Sequence, residues 1–382
     1  MTIENKKKLY YVIFREDIEG NLIKSQVLDL LDELNGEYEF ISLIFIRRIF
    51  QKMNDVCRRT KIEKFTCLIG KLPPGIFGSL MLVLQSLLIG VFYFLRPRFF
   101  KSIFVCRSYN AALFFFLISL ITQSKYIIDT RSPFLKEKLV SGGMNKGSLK
   151  HVFWQWLHGF LNDHAYKVIA ISEAHKTSIE EESGIGTDVT FVYNSLPKSF
   201  TPKVFTADDE IKADKLKLCY LGSFGHWNSS NNYFSFLDSL KKSKVDFSIT
   251  FFTSKAHHDG LYKLFDGFEI DCQQIDQSSV QDHLALFDFG LYFLTEIDER
   301  IGVKTIEYLS SGLPIIHNGQ IKGLRELQPE FPEAFYSVDD ILTNKFSLPL
   351  IRSHQFRSHL SGKAFSKFSV PSVAKMYSQI LC

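Results

Sequence analysis

Short apolar runs alternate with amphipathic segments along most of the chain. KLYYVIF (residues 8–14) predicts a strand. SQVLDLLDEL (25–34) predicts a helix with Val27, Leu30, Leu31 and Leu34 on one face, and YEFISLIFI (38–46) a second strand. The alternation continues with strands at SIFVCRS (102–108), YIIDTR (126–131), KVIAIS (167–172) and VTFVYNS (189–195). Between them, helices are predicted over 110–123, 151–165 and the EAHKTSIEEE segment (173–182). Strands that are continuous apolar runs ended by loop residues belong to parallel sheets covered on both faces. Strand, helix, strand in that order is how such a sheet begins.

Residues 196–214 break the pattern: they are polar, contain Pro197 and Pro202, and read as a linker. A second alternation follows, with a strand at 217–225, a helix at 231–242, a strand at 246–254 and a helix–strand pair within 283–294. The chain of 382 residues is long enough for two α/β domains, each with its own core. Their expected extents are 1–195 and 215–365.

One segment departs from the rhythm. GIFGSLMLVLQSLLIGVFYFL (75–95) carries no charge over 21 residues, long enough to span a bilayer as a helix. The strand at 102–108 follows within a few residues, and a span here would divide the α/β alternation between two sides of a membrane. A helix of the first domain, buried on one side and dipping into a membrane surface on the other, fits better. The net charge of +4 is unevenly spread. Residues 40–110 hold twelve Lys/Arg, including Arg47, Arg48, Lys52, Arg58, Arg59, Lys61, Lys64, Lys71, Arg96, Arg98 and Lys101, against Asp55 and Glu63. Basic residues flanking an apolar stretch suggest an anionic membrane surface as partner. No nucleic-acid-binding motif accompanies them. Six cysteines are scattered singly, so neither a zinc site nor a disulfide framework is indicated. The N-terminus lacks the apolar core of a signal peptide, and a cytoplasmic chain peripherally associated with the membrane is expected.

Candidate chemistry concentrates in ERIGVKTIEYLSSGLPII, residues 299–316. It reads as loop, helix, turn, strand. Gly302 stands before a helix N-terminus, Gly312 supplies its C-terminal turn and Pro314 opens a strand. A helix N-terminus preceded by glycine offers free N–H groups and a favourable dipole to a diphosphate. Lys304 adds positive charge there, and Glu307, in the first turns, suits the two hydroxyls of a ribose.

The spacing of Glu299 and Glu307, with seven residues between them, resembles the E-x7-E region of GT-B glycosyltransferases of family 4. The small residue, glycine and proline that follow match it as well. The Lys304 form is similar to the subgroup that makes bacterial surface polysaccharides. The resemblance extends over nearly the whole chain. YLGSFGHWN (220–228) resembles the first strand and glycine loop of the C-terminal domain, and HLALFDFGLYFL (283–294) its later helix and strand, with Asp288 and Gly290 in place. FSVPSVAKMYSQIL (368–381) is similar to a terminal helix, here expected over 366–382, that crosses back onto the N-domain.

The resemblance implies a GT-B architecture of two Rossmann-like domains with parallel sheets facing each other across a cleft. It implies a nucleotide-sugar donor, a UDP- or GDP-sugar, held by the second domain at Gly222, Ser223, Phe224, Arg300, Gly302, Lys304, Thr305 and Glu307. Glu299 would meet the donor sugar, and the first domain would take the acceptor, a saccharide or lipid-linked saccharide, near Arg107, Asp129 and Arg131. Transfer would be retaining, without metal or cofactor. Two departures stand out. Family members often carry Arg and Lys after the glycine loop, where this chain has Ser223, Phe224 and His226. The catalytic histidine of the N-domain has no match; Asp129 ends the corresponding strand, and Glu299 and Asp129 are the catalytic candidates.

Plain structural readings stand beside these. Gly302, Gly312 and Pro314 are also ordinary helix punctuation. Asp129 and Arg131 read equally as an ion pair at a strand end. Two other functions are compatible with the sequence. A nucleotide-sugar epimerase or hydrolase of the same architecture needs its own acid–base pair. A non-catalytic membrane-bound protein would be built around 75–95.

Overall fold

The computed structural model describes residues 8–14, 23–34, 38, 40–48, 63–70, 72, 75–184, 186–207, 215–225 and 227–381. His226, residues 208–214 of the predicted linker, and Lys52, Arg58, Arg59, Lys61 and Lys71 of the basic stretch lie outside them. The chain divides into two compact units, Met1–Tyr193 with Val373–Cys382, and Asn194–Ser372.

Unit 1 is built on β1 (Lys8–Phe14), β2 (Phe40–Arg48), β3 (Glu63–Ile69), β4 (Ile103–Arg107), β5 (Lys125–Asp129), β6 (Lys167–Ala170) and β7 (Val189–Phe191). All pairings are parallel, in the order β3-β2-β1-β4-β5-β6-β7. This is the doubly wound order, with the switch between β1 and β4. The period-two alternation of β1 sends Leu9, Tyr11 and Ile13 to one face and Tyr10, Val12 and Phe14 to the other. On the first face lie α1 (Asp29–Leu34), entered through a π turn at Lys24–Leu28, and the end of the chain. On the second lie α2 (Gly75–Ile89), α3 (Phe116–Thr122), α4 (Leu149–His164) and α5 (Glu173–Glu182). The helix predicted over 110–123 is two pieces, Tyr109–Ala112 and α3. They are separated where Gly90 presses on the chain: a Cβ on Gly90 would lie 2.5 Å from the Phe114 carbonyl oxygen. The segment 75–95 forms α2 and a π turn, Gly90–Phe94, packed on the sheet. Among the described residues no helix is long and apolar enough to cross a membrane.

Unit 2 repeats the plan with β8 (Leu216–Leu221), β9 (Phe247–Phe252), β10 (Ile270–Gln273), β11 (Phe289–Tyr292), β12 (Ile315–His317) and β13 (Phe335–Ser337), ordered β10-β9-β8-β11-β12-β13 and parallel throughout. Tyr233, Phe236, Leu237 and Leu240 of α6 (Ser230–Lys242) fill the core on one face. α7 (Val303–Ser310) and α8 (His354–Phe368) pack against each other. The buried Arg357 of α8 donates to the Gly312 carbonyl at 3.3 Å and the Ala285 carbonyl at 2.6 Å, which fixes the turn after α7. Asp288 is fixed in turn by Arg352, whose Nε and Nη2 donate to its two oxygens at 2.8 and 2.9 Å. The last helix, α9 (Val370–Leu381), leaves unit 2 and places Val373, Ala374, Tyr377, Ile380 and Leu381 in the unit 1 core.

Candidate functional site

In a doubly wound sheet, ligands gather beyond the C-terminal ends of the strands, where the winding reverses. In unit 2 that point lies between β8 and β11. These strands pair only through Phe289↔Leu218 and Gly290↔Cys219, then separate. Tyr308 of α7 fills the gap: its hydroxyl accepts from the Leu221 amide at 2.8 Å and donates to the Leu291 carbonyl at 3.4 Å. Gly290 makes room for it, since a Cβ there would lie 2.7 Å from the Tyr308 ring. One helical turn before Tyr308, Lys304 projects over the end of β8.

Lys304 sits between two aromatic rings. Its ammonium lies 4.5 Å from the Tyr220 centroid and 4.6 Å from the Tyr292 centroid, and Nζ donates to the Tyr220 hydroxyl at 3.3 Å. No carboxylate pairs with it among the described residues. Burial pulls its pKa down to about 7, opposed by the charges of Glu307 and Asp298. Gly222, at the end of β8, has φ +111°, which an L side chain adopts only with strain. A Cβ there would stand 3.9 Å from Lys304 Nζ, so the loop backbone passes beside the ammonium.

Glu307 stands three residues after Lys304 on α7 and is buried. Its Oε1 accepts from Gln277 Nε2 at 2.8 Å, and burial raises its pKa to about 7 against that bond and the Lys304 charge. Thr305 is fully buried, and its hydroxyl has no partner among the described residues. Gly302 precedes α7 because no side chain fits: its Cβ would meet the Tyr292 hydroxyl at 2.6 Å. α7 ends as predicted, at Gly312 with φ +69°, where the Gly312 amide donates to Leu309 and the Leu313 amide to Tyr308.

The other predicted donor residues have neighbours of their own. Arg300 Nε and Nη2 grip Asp298 at 2.9 and 2.8 Å, and its guanidinium lies 5.3 Å from the Trp227 centroid. Its charge is therefore matched within the loop. Phe224 turns inward onto Tyr220, Tyr233 and Phe251. The Ser223 carbonyl accepts from the Tyr220 hydroxyl at 2.7 Å and Asn228 Nδ2 at 3.0 Å. Glu299 is half-buried in the loop before α7.

In unit 1, Asp129 is wholly buried at the end of β5. Its carboxylate accepts from the Tyr11 hydroxyl at 2.6 Å, the Tyr377 hydroxyl at 2.5 Å and Arg131 Nε at 2.9 Å. Arg131 also donates to Tyr377. The Asp129 carboxylate raises the Arg131 pKa above its ordinary value despite burial. Of the two sequence readings of this pair, the ion pair is thus present, and it holds the C-terminal helix. Arg107 is buried at the end of β4, with Nη2 donating to Gln26 Oε1 at 2.9 Å. Ser108, next in sequence, has φ +123° and ψ 161°, a region nearly exclusive to glycine; its hydroxyl caps the following turn by accepting from Ala111.

Sequence reasoning missed Gln277, Tyr220, Tyr292 and Tyr308 as parts of this constellation. Tyr308 stood inside the 299–316 segment, four residues after Lys304, and its helical spacing was the available signal. Gln277 lies in a short loop turn with no periodicity to mark it. No three or more His, Cys, Asp or Glu side chains gather as a metal set among the described residues.

No protein-family model and no curated protein matches the sequence. Solved structures do match in shape. HepE from Anabaena, in complex with UDP and glucose, superposes with a TM-score of 0.63 at 13% identity, over 98% of this chain and 99% of that one. Sucrose-phosphate synthase from Thermosynechococcus elongatus gives 0.68 at 11% identity, over 98% of each chain. A UDP-N-acetylglucosamine 2-epimerase gives 0.56 at 11%, over 98% of this chain and 96% of that one. With two Rossmann-like units and a terminal helix returning to the first, the chain has the GT-B fold.

Proposed function

We propose that this protein is a nucleotide-sugar-dependent glycosyltransferase whose donor binds at the start of α7. The observation that carries the reading is Lys304, an ammonium without a carboxylate partner among the described residues, placed with Glu307 beside the gap between β8 and β11. Cation, helix N-terminus and close-approaching glycine loop together suit a diphosphate. HepE, of similar fold, binds UDP and glucose, which favours a uridine diphosphate sugar among UDP- and GDP-sugars.

In this reading Lys304 and the first N–H groups of α7 hold the diphosphate beside Gly222 and Ser223. Glu307, oriented by Gln277, accepts the ribose hydroxyls. Glu299 meets the sugar hydroxyls, and Asp298 and Arg300 stiffen the loop that carries it. The acceptor oxygen forms a bond to the anomeric carbon as the bond from that carbon to the β-phosphate oxygen breaks. The electron pair leaves with the nucleoside diphosphate, and the acceptor proton passes to a phosphate oxygen. Fixed positive charge stabilises the leaving group, so the step needs no metal. By resemblance to family 4 enzymes of surface-polysaccharide synthesis, transfer proceeds with retention. The acceptor is a lipid-linked saccharide at the cytoplasmic face of the membrane, engaged by unit 1 on the side of Arg107 and Arg131. The deciding experiment is sugar transfer by Glu307→Ala. Loss of transfer with an unchanged circular dichroism spectrum is expected, and full activity would remove the donor assignment.

A second reading has a specific support, the similarity in shape to a UDP-N-acetylglucosamine 2-epimerase. Incubation with a nucleotide sugar and no acceptor separates the two, because only an epimerase or hydrolase turns the donor over efficiently alone.

A further inference from the structure

α2 and the π turn after it differ from an ordinary surface helix in the side turned away from the sheet. Their sheet-facing side mixes Leu82, at 4% exposure, with small polar residues, Ser79 at 6% and Ser86 at 0%. Their outward side carries Phe77 at 70%, Leu88 at 63% and Phe92 at 74%. The inward hydroxyls are satisfied: Trp154 Nε1 donates to Ser79 at 2.9 Å, and Ser86 donates to the Leu82 carbonyl at 2.7 Å. The helix is therefore seated in the fold as intended, and its apolar side is left uncovered. A large contiguous apolar surface of this kind marks an interaction site.

The uncovered surface does not end with α2. Leu120 and Ile121 of α3 and Val152 and Trp156 of α4 are exposed too. The three helices are neighbours on the same sheet face. Phe116 meets Phe160 at 4.9 Å between centroids, and Phe160 stacks on Trp156 at 5.5 Å, which joins α3 to α4 at the surface.

Charge identifies what covers it. The sequence has no Asp or Glu between Glu63 and Asp129. Within that interval Arg96, Arg98, Lys101 and Lys125 are exposed. Arg96, Arg98 and Lys101 follow the π turn directly, at the edge of the apolar area. α2 and α3 carry no acid; on α4 the one exposed acid, Asp163, lies in the last turn. An apolar face rimmed mainly by cations is complementary to an anionic bilayer. A second copy is disfavoured, because a twofold contact would bring the same cationic rim against itself.

We propose that this face of unit 1 docks on an anionic lipid bilayer. α2 lies in the interface plane, its Phe and Leu side chains among the acyl chains, with Arg96, Arg98 and Lys101 at the headgroup phosphates. The proposal deepens the lipid-linked acceptor reading and rests on it, by naming the surface that brings the enzyme to such an acceptor.

The test is co-sedimentation of the full chain with vesicles of phosphatidylcholine, with and without phosphatidylglycerol. The wild type is expected to pellet with the phosphatidylglycerol vesicles, less so as salt rises. Leu84→Glu with Leu88→Glu is expected to weaken partitioning by about tenfold or more. Arg96→Glu with Arg98→Glu is expected to abolish the preference for phosphatidylglycerol. Absence of vesicle binding by the wild type, or equal binding by the leucine variant, overturns the proposal. So does a wild-type dimer that the leucine variant turns into monomer. UDP-induced thermal protection, measured on the same samples, reports folding and the donor site separately. Vesicle binding without nucleotide protection sinks the donor reading alone, and the reverse sinks the docking surface alone.

Discussion

An ammonium beneath two tyrosine rings and a carboxylate buried beside it are both taken out of water by the fold. Burial brings Lys304 down to about 7 and Glu307 up to about 7. The signs differ in their consequences. Above Lys304's folded value the unfolded chain binds more protons, so stability rises with pH from about 7 toward the ordinary lysine range. For Glu307 the folded chain binds more protons, so stability falls as pH rises from the ordinary carboxylate range to about 7. Together they predict a minimum in the ligand-free contribution near neutrality, to be read as a shallow dip in denaturation midpoint against pH that Lys304→Met with Glu307→Gln removes. A diphosphate anion reverses Lys304's shift. At pH 8 its binding should therefore be accompanied by proton uptake. Calorimetry in buffers of different ionisation enthalpy measures this uptake, and it should vanish in Lys304→Met. Both charged residues were legible in the sequence, since they stand three apart at a glycine-punctuated helix start. The tyrosines and Gln277 were not, because Tyr220, Gln277 and Tyr292 reach Lys304 and Glu307 only through folding of separate elements.

At the scale of elements, the site depends on how closely α7 approaches the sheet. Gly290 lets the Tyr308 ring lie on β11, and Gly302 lets Tyr292 reach under the helix start. Gly290→Ala forces a backbone or ring shift and is expected to cost about 1–3 kcal/mol, read from urea unfolding. Gly302→Ala displaces Tyr292, and its larger effect should be on nucleotide affinity rather than on stability. The strands of both sheet centres were plain in the sequence, as continuous apolar runs. β3, β10 and β13 were not. They are edge strands, and EKFTCLI and IDCQ mix polar with apolar residues because an edge is covered less completely. The break between Ala112 and Phe116 was also hidden, since the chain there runs close to Gly90, which belongs to another element.

For the whole molecule, the return of the chain to unit 1 is secured by one buried cluster. Tyr377 and Asp129, 248 residues apart, share a 2.5 Å hydrogen bond, and Arg131 closes the group. Tyr377→Phe removes one donor to a buried carboxylate and should lower unit 1 stability by about 1–3 kcal/mol. Asp129→Ala leaves the buried Arg131 uncompensated, with a larger expected loss of about 3–5 kcal/mol. Tryptophan fluorescence from Trp154 and Trp156 reports unit 1, and Trp227 unit 2, so single-tryptophan versions locate the loss. The sequence placed Asp129 and Arg131 at a strand end; only the fold reveals Tyr11 and Tyr377 as their partners, which is why an ion pair and a catalytic role looked alike. The central claim, that a nucleoside diphosphate binds at the start of α7, meets its most direct test in calorimetric titration of UDP and GDP into the wild type and Lys304→Met. The account predicts one site in the wild type and an affinity weakened by about tenfold or more in the variant, for loss of a buried charge-assisted contact. No binding of either nucleotide, or equal affinity in the two proteins, would contradict it.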